Sequence, residues 1–303
     1  MPAPTRHALL PVLALAVVAC SSSGASPSPS ASAPPASSVP SAAPSPSVAP
    51  VGAIDHQTGA SDVLLRYDVG GGLMMPGFSA TQTPIFTLYG DGTVVFRNQT
   101  AEPPPAIGSV MPMSPLRTAK LSEDQVQALL EEALGKAGLG IARESYDNPM
   151  IADAGTTTFD VHAGGVDKTV SITALGADTP GVPDGIARAN FQQLAEHLAD
   201  FDNGGAVTTD VYTPAAYRAI LMDGTGQVGA VAWPWTTIKP ADFSFPADPN
   251  AFQLGTKAVS PADVGALRLG AVPGGFQGMV LTGPSDGKVY ALSLRPLLPD
   301  ETA

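Results

Sequence analysis

The chain has one cysteine, Cys20, among its 303 residues. A disulfide within the chain is therefore excluded, and whatever folds must be held by its apolar core. Histidine is almost as scarce. His7, His56, His162 and His197 are the only four, and no His-Glu-x-x-His occurs. Zinc needs three or four converging ligands, so each histidine reads as a surface side chain and no metal is expected. Basic residues are outnumbered, 15 against 27, for a net charge of -12. That balance argues against nucleic acid and against electrostatic adhesion to anionic lipid. Beyond residue 20 there is no apolar run long enough to cross a bilayer. Catalytic signatures are missing too. No Gly-x-Ser-x-Gly is present. Tyr146-Asp147-Asn148 and Lys168-Thr169-Val170 imitate parts of a penicillin-binding pattern, but the only Ser-x-x-Lys, Ser285 to Lys288, comes last and in a turn. No catalytic residue and no cofactor is predicted.

What is present begins at the amino terminus. Arg6 and His7 precede an apolar run, Ala8 to Val18, of the length of a signal-peptide core. The run ends in Val17-Val18-Ala19-Cys20, which resembles the lipobox of bacterial lipoproteins. An ordinary secretory signal with an incidental cysteine is the plainer alternative. The resemblance implies cleavage between Ala19 and Cys20, acyl chains of the palmitate type on the Cys20 thiol, and an extracytoplasmic protein tethered to a membrane. Two or more chains on one residue would anchor it stably. Loss of Arg6 with the leader would bring the charge to 14 minus 27, or -13.

Residues 20–54 follow as a Ser-, Pro- and Ala-rich segment with one isoleucine and no charged side chain. Such a composition cannot build a core and predicts a disordered stalk biased to polyproline II. The remaining chain is expected as an α+β body divided into 55–205 and 206–303. Val63 to Val69 reads as a strand broken by Gly70-Gly71-Gly72. Pro84 to Tyr89 and Thr93 to Arg97 flank Gly90-Asp91-Gly92 as a hairpin. Ser122 and Gln125 form a capping box for a helix with Val126, Leu129, Leu130, Ala133 and Leu134 on one face. Thr156 to Ala163 and Val166 to Ala174 make a second hairpin. A further helix starts at Asp184 or Gly185, with Phe191, Leu194, Ala195 and Leu198 as its stripe. Antiparallel sheet with helices packed on one face is the predicted fold class.

Leu116 to Ser122 is echoed by Leu254 to Ser260, and each copy leads into a capped helix and then a hairpin, the second turning at Asp286-Gly287. The echo reads as a diverged duplication of a helix-plus-hairpin unit or as convergence on the same capping and turn chemistry. The Tyr-Gly-Asp-Gly hairpin, the Leu-Ser-Glu-Asp-Gln helix start and the Lys168-bearing return strand resemble uncharacterised secreted bacterial lipoprotein domains. The topology is loosely similar to PepSY-like periplasmic modules.

Two loops deserve a check for calcium. Asp200-Phe201-Asp202-Asn203-Gly204-Gly205 has acids at the first and third positions of an EF-like loop, but Val211 stands where the bidentate glutamate belongs, so a helix cap explains it. Asp147, Asn148 and Asp153 are equally weak. The best binding candidates are Trp233 and Trp235, the only tryptophans, held together by Pro234. Exposed, they would stack on a sugar or anchor a partner; buried, they would be core. The function expected is a membrane-anchored, non-catalytic binding module for a protein or cell-wall ligand. A cell-envelope hydrolase with an unrecognised site is the alternative.

Overall fold

The computed structural model describes residues 52–177, 180–205, 207–285 and 287–302. The expected leader, Ala19, Cys20, nearly all of the expected stalk and Asp286 lie outside the described residues. Ile54, the one isoleucine of that stalk segment, packs on the first core. Its backbone exchanges two hydrogen bonds with the Gln127 side chain, at 2.7 and 2.9 Å.

The first half carries β1 (Val63–Gly71), α1 (Pro76–Ser79), β2 (Phe86–Tyr89), β3 (Thr93–Phe96), β4 (Met111–Pro112), β5 (Arg117–Lys120), α2 (Glu123–Glu131), β6 (Ser145–Tyr146), β7 (Gly155–Ala163), β8 (Val166–Thr173) and α3 (Gly185–Ala199). The second half carries β9 (Asp210–Val211), β10 (Tyr217–Asp223), β11 (Val231–Ala232), β12 (Gly255–Val259), α4 (Pro261–Gly265), β13 (Phe276–Thr282) and β14 (Val289–Pro296). An eight-stranded sheet runs β6-β8-β7-β1-β2-β3-β5-β9, and a six-stranded sheet runs β11-β13-β14-β10-β12 with β4 also on β13. Only β6–β8 and β11–β13 pair in parallel. The fold is α+β with antiparallel sheet dominant, as the sequence pattern predicts.

Local chemistry explains the clearest elements. In the β2–β3 hairpin, the Asp91 carboxylate accepts from the Thr93 N–H at 2.9 Å and the Thr93 hydroxyl at 3.0 Å. Gly92 stands at φ 82°, where a Cβ would sit 2.6 Å from the Leu121 carbonyl oxygen, so only glycine turns the chain there. Ser122 caps α2 with the reciprocal Gln125 side chain in place. Ser260 caps α4 in the same way with Asp263, and Pro261 takes the first helical position.

In the first sheet α2 and α3 cover one face. Val126, Leu129 and Leu130 of α2 and Phe191, Leu194 and Leu198 of α3 meet Leu65, Phe86, Phe96, Phe159 and Val161 in one cluster. Phe159 stacks on Tyr67 at 5.3 Å and lies 6.3 Å from Phe191. Arg188 is completely buried, yet its guanidinium donates to the Tyr146, Thr173 and Ala174 carbonyls. It thereby joins α3 to the ends of β6 and β8. The second sheet has only α4, five residues long, and loops over its core face.

Several details depart from the sequence expectation. β1 continues through Gly70 and Gly71, which pair with Thr156 and Gly155 on β7. The sequence pattern announces no strand at β4, β5, β6, β9, β10, β11 or β12. Both copies of the echo have a strand, a capped helix and a hairpin, but the hairpin joins its sheet through its first strand, β7, in one half and its second, β14, in the other.

The segments 55–205 and 206–303 supply most of one sheet each, and the chain crosses between them. β4 pairs with β13, and β9 pairs with β5. The carboxyl-terminal residues join them again. Arg66 Nη2 and Tyr89 Oη both donate to Asp300, each at 2.7 Å, while Arg295 holds Glu301 at 2.8 and 2.6 Å. Burial would raise the Asp300 and Glu301 carboxyls, but the hydrogen bonds from these partners outweigh it and hold both below the usual carboxylate range. Ala49–Ala303 forms one compact unit. Among the described residues no helix is long and apolar enough to cross a membrane.

Candidate functional site

Trp233 and Trp235 part company in the structure. Trp235 is 6% exposed and belongs to the core of the second sheet. Its Nε1–H donates to the Asp263 carbonyl at 2.9 Å, which ties it to α4. Trp233 is half-buried, and its Nε1–H donates to the Ile238 carbonyl at 2.6 Å. Its ring meets Trp235 edge-on at 5.4 Å and Tyr290 at 6.0 Å. Fixed by that hydrogen bond and those rings, its remaining surface lines an open cleft of about 740 Å³.

The cleft is assembled from four segments distant in sequence. Met279 and Val280 of β13 form its floor. One wall is a tight turn in which Ile107 and Val110 exchange backbone hydrogen bonds at 2.9 and 3.0 Å. That turn lies close over β13 because position 278 is glycine, at φ 80°; a Cβ there would come 2.9 Å from the Ser109 carbonyl oxygen. The other wall is β11 with Trp233 and Pro234, and the end is the stretch Ala266–Leu269 after α4. Between β4 and β11 the outer edge of β13 is paired by no described strand over Gly278–Val280.

The lining side chains are mostly apolar, and the one titratable side chain among them is Arg268. Arg268 stands at φ 57°, a left-handed conformation that favours glycine. It is exposed, and it alone among the described arginines makes no hydrogen bond or ion pair from its side chain. Arg66, Arg97, Arg117, Arg143, Arg188, Arg218 and Arg295 all have partners. No motif in Leu267-Arg268-Leu269 announced this, because the cleft exists only once β4, β11 and β13 are brought together.

The other sequence candidates find structural partners. His162 lies 2.7 Å from Asp167 and His197 lies 3.0 Å from Glu132, and both rings are partly exposed as expected. His56 is a correction. Its side chain is only 5% exposed, because the segment bridges to Ala163 and tucks the ring against Glu123 at 3.1 Å. Asp202 is buried with both carboxylate oxygens on the Asn98 amide, at 3.1 and 2.9 Å, and its carbonyl accepts from Gly205. That loop closes the end of α3. Asn148 is buried with its Oδ1 on the Met150 N–H and its Nδ2 unpaired. Ser285 is exposed in the last turn. Among the described residues no group of three His, Cys, Asp or Glu is placed to hold a metal.

Comparison with protein-family models, with curated proteins and with solved structures found no match.

Proposed function

We propose that the protein is a lipid-anchored extracytoplasmic binding protein, carried on acylated Cys20 and a Ser/Pro/Ala stalk, whose body takes a ligand in the cleft beside Trp233. The cleft is the single observation behind the binding role. Its volume falls within the range of about 300–1,000 Å³ usual for small-molecule sites. Its lining holds no carboxylate, histidine or cysteine, so its one hydroxyl, on Ser109, has no base in the lining to activate it, and binding suits the cleft better than hydrolysis. The placement rests on the Val17-Val18-Ala19-Cys20 resemblance.

The placement is tested by fractionating cells that make the Cys20→Ser chain. The variant should leave the membrane fraction, and mass spectrometry should find acyl chains on Cys20 of the unaltered protein. Equal membrane retention of both forms overturns the anchor. The binding role is tested by tryptophan emission, since both tryptophans of the chain lie at or behind the cleft. Apolar ligands should shift the emission of the folded protein and should fail to do so in Trp233→Ala.

A further inference from the structure

Resting on the cleft as the binding site, we infer that its ligand is an amphiphile: an apolar chain carrying a single carboxylate, which Arg268 receives at the rim.

The charge pattern carries this furthest. A chain with 27 acidic residues leaves this cleft without one, so an anion entering it meets no repelling carboxylate in the lining. The only charge there is an arginine that no described residue engages, while every other described arginine is engaged. Arg268 also holds a left-handed backbone, which disfavours a non-glycine residue. An external partner for the guanidinium explains the missing contact.

The rest of the lining specifies the body of the ligand. Val110, Val231, Leu267, Met279 and Val280 are aliphatic or thioether surface, and Trp233 adds one rigid face. Ser109 is the only neutral lining side chain with a hydrogen-bonding group to spare, since the Trp233 indole N–H is already given to the Ile238 carbonyl. A sugar would leave most of its hydroxyls without a side-chain hydrogen-bond partner here. An aliphatic chain would not. A guanidinium fork matches one carboxylate by two parallel hydrogen bonds. A doubly charged phosphate would retain uncompensated charge against a single arginine.

The probe is dodecanoate, titrated against the full chain carrying Cys20→Ser so that no acyl group of its own competes. Tryptophan emission reports the site, with dodecanol and dodecyltrimethylammonium as neutral and cationic controls. Dodecanoate should bind best. Arg268→Ala should weaken it about tenfold or more while leaving dodecanol unchanged, and Arg268→Lys should recover part of the loss. Circular dichroism checks that each variant is folded. Equal binding of all three probes, or dodecanoate affinity untouched in Arg268→Ala, overturns the carboxylate assignment and leaves the cleft as an apolar site. No emission change with any probe overturns the cleft as a binding site as well.

Discussion

The two sheets solve the same burial problem to different degrees. Both bury large apolar side chains from alternating strand positions, and both contain a hairpin that follows a strand and a capped helix. The first sheet is covered by α2 and α3, whose stripes supply two layers of leucine and phenylalanine, and its core is closed. The second is covered by α4, a single turn and a half, with loops and two tryptophans filling in. Beside the second core, the outer edge of β13 between β4 and β11 carries no described strand, and Met279 and Val280 there form the bottom of an open cleft. The lesson is that an unpaired stretch of sheet edge leaves the second half a cleft of about 740 Å³, while the hollow beside Tyr146 and Phe191 in the first half is smaller, about 460 Å³.

Core truncation gives the largest contrast. Phe159→Ala should destabilise the protein by about 3–5 kcal/mol in urea unfolding, since Tyr67 and Phe191 cannot collapse into the space. Met279→Ala should cost less, below about 2 kcal/mol, because it borders the cleft and solvent can fill the gap. Equal losses would mean that the second core is as closed as the first.

A smaller effect tests what joins the sheets. Asp300→Asn should cost about 1–3 kcal/mol by leaving Arg66 without its charged partner. The Asp300 carboxyl is held below its unfolded value, so the native state binds fewer protons than the unfolded chain in acid. Its contribution is therefore fully present above the unfolded value of about 3.9 and is lost as pH falls through the lower folded one. Acid unfolding followed by circular dichroism should show a weaker pH dependence below about pH 4 in the variant. An unchanged profile would mean that the tail does not couple the sheets.

The smallest effect concerns the two capping boxes. Ser122→Ala should cost about 1 kcal/mol, because nine residues of helix and their core contacts depend on it. Ser260→Ala should cost about half as much or less, because α4 has five residues and buries only Val264. The reverse order in thermal melts would show that α4, rather than α2, is the better anchored helix.

Much of this was legible from short-range chemistry. Gly90-Asp91-Gly92 dictates its hairpin because the aspartate accepts from the Thr93 N–H two residues on and Gly92 takes the left-handed turn. Ser122 and Ser260 mark helix starts because a hydroxyl replaces a missing backbone acceptor. Phe159, Val161 and Ala163 declare a buried strand face by alternation. Short strands such as β9 and β11 carry no such signal, since two residues cannot show a period. The tryptophans were legible as a pair but not as two fates, because one atom of context, the Asp263 carbonyl, draws Trp235 inward.

From its own order of residues, then, the chain determines its turns, caps and apolar stripes, since each needs only neighbours within a few positions. Which side chains face the cleft, which arginine stays unengaged and where Asp300 finds Arg66, 234 positions away, were decided by tertiary packing alone. Those contacts depend on how sheets and loops close over one another, and no local propensity encodes a distance across the fold.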